Sequence, residues 1–136
     1  MGKILAIDYG EKRIGLAVTD DMKMIAFGLT TVATAEIFTY LDDYIPKENV
    51  ETIVVGEPKQ MNNTASESEV YIVPFLKKLA EKYPAVAIKR HDERFTSKMA
   101  FQTMLDSGLK KKQRKNKALI DEISATIILQ DFLKTL

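Results

Sequence analysis

Apolar positions in the first third of the chain fall in short strand-like runs. Lys3-Ile4-Leu5-Ala6-Ile7 is the first, ending at Asp8-Tyr9-Gly10. Ile14 to Thr19 is the second, and the Gly10–Arg13 stretch between them is short enough for a hairpin. Met24 to Val32 is the third, with Asp20-Asp21 at the turn before it. These three predict an antiparallel meander. The spacing then becomes helical: Thr34 is placed to cap a helix over Glu36–Tyr44, with Ile37, Tyr40, Leu41 and Tyr44 on one side and Pro46 closing it. Val50–Val55 is a β-branched strand stopped by Gly56-Glu57-Pro58, and a polar loop over Lys59–Thr64 follows. A helix is predicted from about Ser66 to Lys82, with Val70, Val73, Leu76, Leu79 and Ala80 forming its apolar face. Pro74 inside it marks a kink or the true start. Pro84–His91 is a further strand. Ser97–Ser107 is a helix ended by Gly108, and Ala118–Leu133 a final amphipathic helix. The late β-α-β order calls for parallel pairing with right-handed crossovers, so the expectation is a mixed α/β sheet with helices on its faces.

Composition narrows the function classes. With 136 residues the chain suits one domain, spanning residues 1–136, with enough buried surface to fold unaided. No cysteine is present, which excludes disulfides and thiolate metal sites. No apolar run approaches the roughly 20 residues of a membrane span. The N-terminus lacks a signal-peptide layout, so a cytoplasmic protein with no membrane partner is expected. The net charge is only +1, yet six of the eight side chains in Lys110–Lys117 are basic. That cluster reads as a local positive patch, or as a solvated connection.

Acidic residues at three places in the chain carry the candidate chemistry. Asp8 ends an otherwise apolar strand, which suits either a turn cap with Gly10 or a metal ligand, since carboxylates are rarely buried without a partner. Asp92-Glu93 follows His91 at the end of the last predicted strand. Adjacent strand residues point to opposite faces, so both can serve one site only if the strand ends between them. An Asp/Arg ion pair in a polar loop is the plainer reading of that segment. Asp121 lies early in the last helix, sharing a side with Ala118, Ala125 and Leu129, which aims it at the sheet; as an isolated residue it is equally a carboxylate at a positive helix terminus. Asp8 and Glu93 at the carboxyl edge of parallel strands, joined by Asp121, would repel one another unless a cation neutralised them. Hard oxygen ligands select Mg²⁺ or Mn²⁺, and such ions promote phosphodiester hydrolysis.

Taken together, Ala6-Ile7-Asp8-Tyr9-Gly10 with Arg13–Ala17 and Asp20, Ile53-Val54-Val55-Gly56 with Pro58, Asp92–Ser97 with Ala100, and Asp121-Glu122 with Ala125, Ile128–Gln130 and Leu133 resemble the YqgF/RuvX family. This family is a branch of the RNase H-like superfamily related to Holliday-junction resolvases. The resemblance covers nearly the whole chain. It implies an RNase H-like fold with sheet order 3-2-1-4-5, and a cytoplasmic nuclease that processes the 5′ end of pre-16S rRNA, or alternatively cuts four-way DNA junctions. It implies Asp8, Glu93 and Asp121 as catalytic metal-site carboxylates and Asp92 as a candidate fourth. Arg94 and the Thr96 and Ser97 hydroxyls stand where they could contact phosphate or simply cap locally. Two residues depart from the family pattern: Glu57, where an apolar residue is usual, and Ser124, where alanine is more frequent.

Lys110, Lys111, Lys112, Arg114, Lys115 and Lys117 precede the helix bearing Asp121, where they could grip the phosphates of pre-rRNA or branched DNA. The Asn62-Asn63-Thr64 loop reads as a plain turn, and the single histidine, His91, as a structural residue at a strand end. Junction cutting would call for two sites and hence a homodimer. Two rival classes stand beside the nuclease. One is a phosphate-loop ATPase, since Asp8-x-Gly10 before a hairpin also suits that fold, although this chain is short for the second domain such proteins use. The other is an RNA-binding module that does not cut.

Overall fold

The computed structural model describes residues 2–57, 69–92 and 117–136, with side chains in the last stretch from Glu122 onward. Strand β1 (Lys3–Asp8) pairs antiparallel with β2 (Arg13–Thr19), and β2 with β3 (Ala26–Ala33). On its other side β1 pairs parallel with β4 (Val50–Glu57), and β4 parallel with β5 (Ala87–Asp92). The sheet order is therefore β3-β2-β1-β4-β5. Helices α1 (Ile37–Glu48), α2 (Glu69–Lys82) and α3 (Lys117–Leu133) complete the described elements, with a 3-10 turn at Thr34–Glu36.

The two faces of the sheet bury different side chains. Leu5 and Ile7, Ile14, Leu16 and Val18, and Ile53 and Val55 form one core with Ile37, Leu41 and Ile45 of α1 and Ile72, Phe75 and Leu79 of α2. Ile4, Ala6, Ala17 and Val54 face the other way, against Ala125, Ile128 and Leu129 of α3. Each fully buried Leu or Ile contributes roughly 1.5–3 kcal/mol. The α3 face mixes alanines with branched aliphatic residues. At Gly28 on β3 a Cβ would stand 2.6 Å from a Glu122 carboxylate oxygen, so the glycine lets α3 approach the sheet. The buried Thr19 hydroxyl accepts a hydrogen bond from the Ile4 backbone N–H at 2.9 Å.

Local chemistry explains where the observed elements differ from expectation. β3 begins at Ala26 rather than Met24, because the Asp20 carboxylate accepts the Met24 and Ile25 N–H groups and holds them in a turn; those N–H groups hold its own carboxyl below the usual range. Thr34 does not cap a helix. Its hydroxyl donates to the Gly10 carbonyl at 2.6 Å and its N–H to the Lys12 carbonyl, which ties the β1–β2 hairpin to the end of β3. Gly10 itself has no room for a side chain, since a Cβ would collide with the Arg13 carbonyl.

Pro46 lies inside α1 instead of ending it. The carbonyl that loses its helical donor belongs to exposed Asp42, where water can substitute. The stop comes at Asn49, in the left-handed conformation (φ 54°, ψ 53°), whose N–H bonds Ile45. On α2 the buried positions are Ile72, Phe75 and Leu79, while Val70, Val73 and Ala80 are exposed, so of the expected apolar face Leu79 and, half-buried, Leu76 meet the core and the rest does not. This helix carries apolar residues on two sides, and periodicity cannot choose between them. β5 starts at Ala87, after a turn in which the Val86 N–H bonds the Tyr83 carbonyl. The expected helix at Ser97–Ser107 and the loop at Lys59–Thr64 lie outside the described residues.

Candidate active site

Asp8 is the last residue of the central strand and is half-buried. Strand alternation sets it with Ile4 and Ala6 on the α3 face. Its antiparallel partner on β2 is Gly15. On the parallel side Ile7 pairs with Val55, so Gly56 is next in register. Gly56 in turn pairs with His91 of β5. The row across the carboxyl edge of the sheet therefore reads Gly15, Asp8, Gly56, His91, with the acid between two residues that have no side chain. The Asp8 carboxylate is a hard oxygen donor of the kind that divalent cations such as Mg²⁺ select.

Helix α3 closes this face. Glu122 lies against Gly28, while Gln130, Leu133 and Lys134 border Met24, Ile25 and Ala26, where they enclose a cleft of about 390 Å³. The helix thus travels back along β3 toward its start, and its first turns, including the backbone of Asp121, lie toward the end of the sheet at which β1 finishes.

The other face of the same edge is also polar. Glu57 belongs to β4 and pairs with Asp92, the last residue of β5. By alternation both share the side of Val55, Ile88 and α2, opposite Asp8. On that side the Arg90 guanidinium donates to both oxygens of Glu69, at 3.2 and 3.1 Å, and to the Val55 and Gly56 carbonyls. This fixes the first turn of α2 to the ends of β4 and β5. On the α3 face His91 Nε2 and Asp131 Oδ2 are 2.6 Å apart, and the His91 ring meets Phe132 edge-on with centroids 6.0 Å apart. Neither pairing was visible in the sequence; the available signal was a charged or imidazole side chain inside a strand.

Asp8 and the backbone of Asp121 are thus brought to one edge and one face, and Asp92 is placed on the opposite face. Glu93, Arg94, Thr96, Ser97, Lys110, Lys111, Lys112, Arg114 and Lys115 lie outside the described residues, as do the side chains of Lys117 and Asp121. Among the described residues, no three His, Cys, Asp or Glu side chains gather closely enough to hold a metal, and no helix is long and apolar enough to cross a membrane.

Residues 2–135 match the RuvX family, described as a Holliday junction resolvase. A relative from Christiangramia forsetii is 61% identical over 133 residues, spanning 98% of each chain. One from Flavobacterium psychrophilum is 62% identical, spanning 98% of this chain and 97% of its own. Both are provisionally designated pre-16S rRNA nucleases. T. thermophilus RuvC, solved in complex with a Holliday junction substrate, has a TM-score of 0.58 at 17% identity, covering 99% of this chain and 95% of that one. At that identity the likeness is one of fold, and it agrees with the RNase H-like sheet order observed here. On a match that runs almost from end to end, this chain belongs to the RuvX family.

Proposed function

We propose that this protein is a divalent-metal-dependent nuclease that processes the 5′ end of pre-16S rRNA, acting in the cytoplasm. The observation that carries the reading is Asp8 at the carboxyl end of the central strand, flanked by Gly15 and Gly56 and facing α3. Relatives at about 60% identity designated for this substrate support it. Asp8, Glu93 and Asp121 would hold Mg²⁺ or Mn²⁺. Glu93 directly follows Asp92, the last residue of β5. Asp92, on the face opposite Asp8, is the weaker candidate for the ligand set.

When bound, the cations would activate water and neutralise charge on the leaving oxygen. The protein's own part is to gather carboxylates that repel one another, hold them on rigid elements, and set the phosphodiester against them. Lys110, Lys111, Lys112, Arg114, Lys115, Lys117 and Arg94 would bind the phosphates on either side of the cut.

Cleavage of a pre-16S leader RNA, with and without Mg²⁺ or Mn²⁺, tests the reading. Wild type should cut only with metal. Asp8→Asn should fall by at least about 100-fold, since several kcal/mol of charge stabilisation depends on the ion. Full activity in Asp8→Asn would reject the assignment. Four-way DNA junctions belong in the same assay, because the description of the matching family favours them as a second substrate. Symmetric junction cutting would require two copies of the chain.

A further inference from the structure

The contact between α3 and the sheet has an unusual division of labour. Over β1, β2 and β4 the helix packs Ala125, Ile128 and Leu129 on Ile4, Ala6, Ala17 and Val54, and over β3 Glu122 lies against Gly28. Apolar contacts of this kind are non-directional, so they fix how far a helix slides or rotates less sharply than a hydrogen bond does. The interface therefore supplies affinity with little register. Across β5 the contact is of another kind. The described side chains that join α3 to β5 are Asp131 and Phe132, and both meet His91. His91 is largely shielded, with 16% of its side chain exposed, and it stands in the same cross-strand row as Gly56 and Asp8. It is also the residue next to the end of β5.

We propose that the His91–Asp131 pair is a positioning clamp for the metal site. It locks the lengthwise register and rotation of α3 against the carboxyl edge of the sheet, and so sets the carboxylate of α3 relative to Asp8. The inference rests on the carboxylate site proposed above. Neither clamp residue touches substrate or metal; each acts through α3 and β5. The hydrogen bond needs a proton on Nε2, which donates to the Asp131 carboxylate, and the neutral Nε2–H tautomer supplies it. Partners that orient ligands in this way typically cost 10- to 100-fold in metal affinity or activity when removed.

The test is Mn²⁺ affinity, measured by titration calorimetry on the intact, metal-free protein, with thermal melting of each variant alongside. Asp131→Ala should weaken Mn²⁺ binding about tenfold while its melting temperature stays within a few degrees of wild type. Asp131→Asn, which keeps an acceptor for the imidazole N–H, should recover most of that loss. Asp8→Asn, as reference, should abolish binding at the site. If Asp131→Ala binds Mn²⁺ as wild type does while Asp8→Asn does not, the clamp is wrong and the carboxylate site stands. Failure of Asp131→Asn to recover affinity also overturns it, since charge and not the bond would then be what matters. If neither variant alters Mn²⁺ binding, the carboxylate site falls and the clamp falls with it.

Discussion

Thr19 is 1% exposed, a polar side chain at the end of β2 that does backbone work. Its hydroxyl accepts the Ile4 N–H at a point where the β1–β4 register shifts, between Lys3 and Ile4. An irregular register can leave a main-chain donor without a ladder partner, and a buried donor left unmade costs about 1–3 kcal/mol. Thr19→Val keeps the shape and removes the acceptor. It should lower stability by about that amount in chemical denaturation, whereas a loss under 0.5 kcal/mol, on the order of an exposed substitution, would show that water reaches Ile4. Asn49 is another residue whose role is read from backbone geometry. A left-handed conformation costs most side chains 1–2 kcal/mol, and asparagine adopts it more readily. Its carbonyl also accepts the Lys3 N–H, so the end of α1 and the start of β1 are fixed by one residue.

At the scale of elements, the proposed site depends on where α3 sits. Ala125 is fully buried between helix and sheet, in the cluster of Ile4, Ala6, Ala17 and Val54. Ala125→Leu adds three carbons where there is no groove to receive them. Overpacking of this kind costs about 1–3 kcal/mol, and lifting the helix displaces Asp121 from the edge that holds Asp8. The variant should remain folded by circular dichroism and lose most metal-dependent cleavage; unchanged cleavage would mean that α3 does not carry part of the site. Much of this arrangement was legible in the sequence. The switch from period-two to helical spacing after Ala33 separates meander from crossover units, and Ala125 with Leu129 marks the inward side of the last helix. What was not legible depends on contacts between elements. Val70 and Val73 look like core until α1 and the sheet select Ile72 and Phe75 instead. Thr34 looks like a cap until the hairpin supplies a competing carbonyl. His91 could be recognised as structural, but Asp131 lies 40 positions away and no local pattern names it as the partner.

At the scale of the molecule, the charge is nearly balanced, at +1 for 136 residues. A polyanion is therefore not attracted by the molecule as a whole, and affinity for nucleic acid has to come from a local concentration of positive charge. Several of the lysines elsewhere are already engaged: Lys3 with Glu48, Lys23 with Glu51, and Lys82 with Asp42. The Lys110–Lys117 segment is the densest run of basic residues in the chain, six in eight, and it leads directly into the helix of Asp121. Each phosphate neutralised releases condensed counterions, so log affinity falls with log salt at about 0.7 per contact for single strands and 0.9 for duplex. Replacing Lys111, Lys112 and Arg114 together with Gln removes three such contacts if all three reach phosphate. Binding to a pre-16S leader RNA, followed across 50–300 mM salt by fluorescence anisotropy, should then weaken while the slope flattens by about 2. Metal affinity should be unaffected, which separates loss of grip from damage to the carboxylates. A triple variant with the wild-type slope would place the binding surface elsewhere on the molecule, and the polar edge of the sheet would then be the next surface to test.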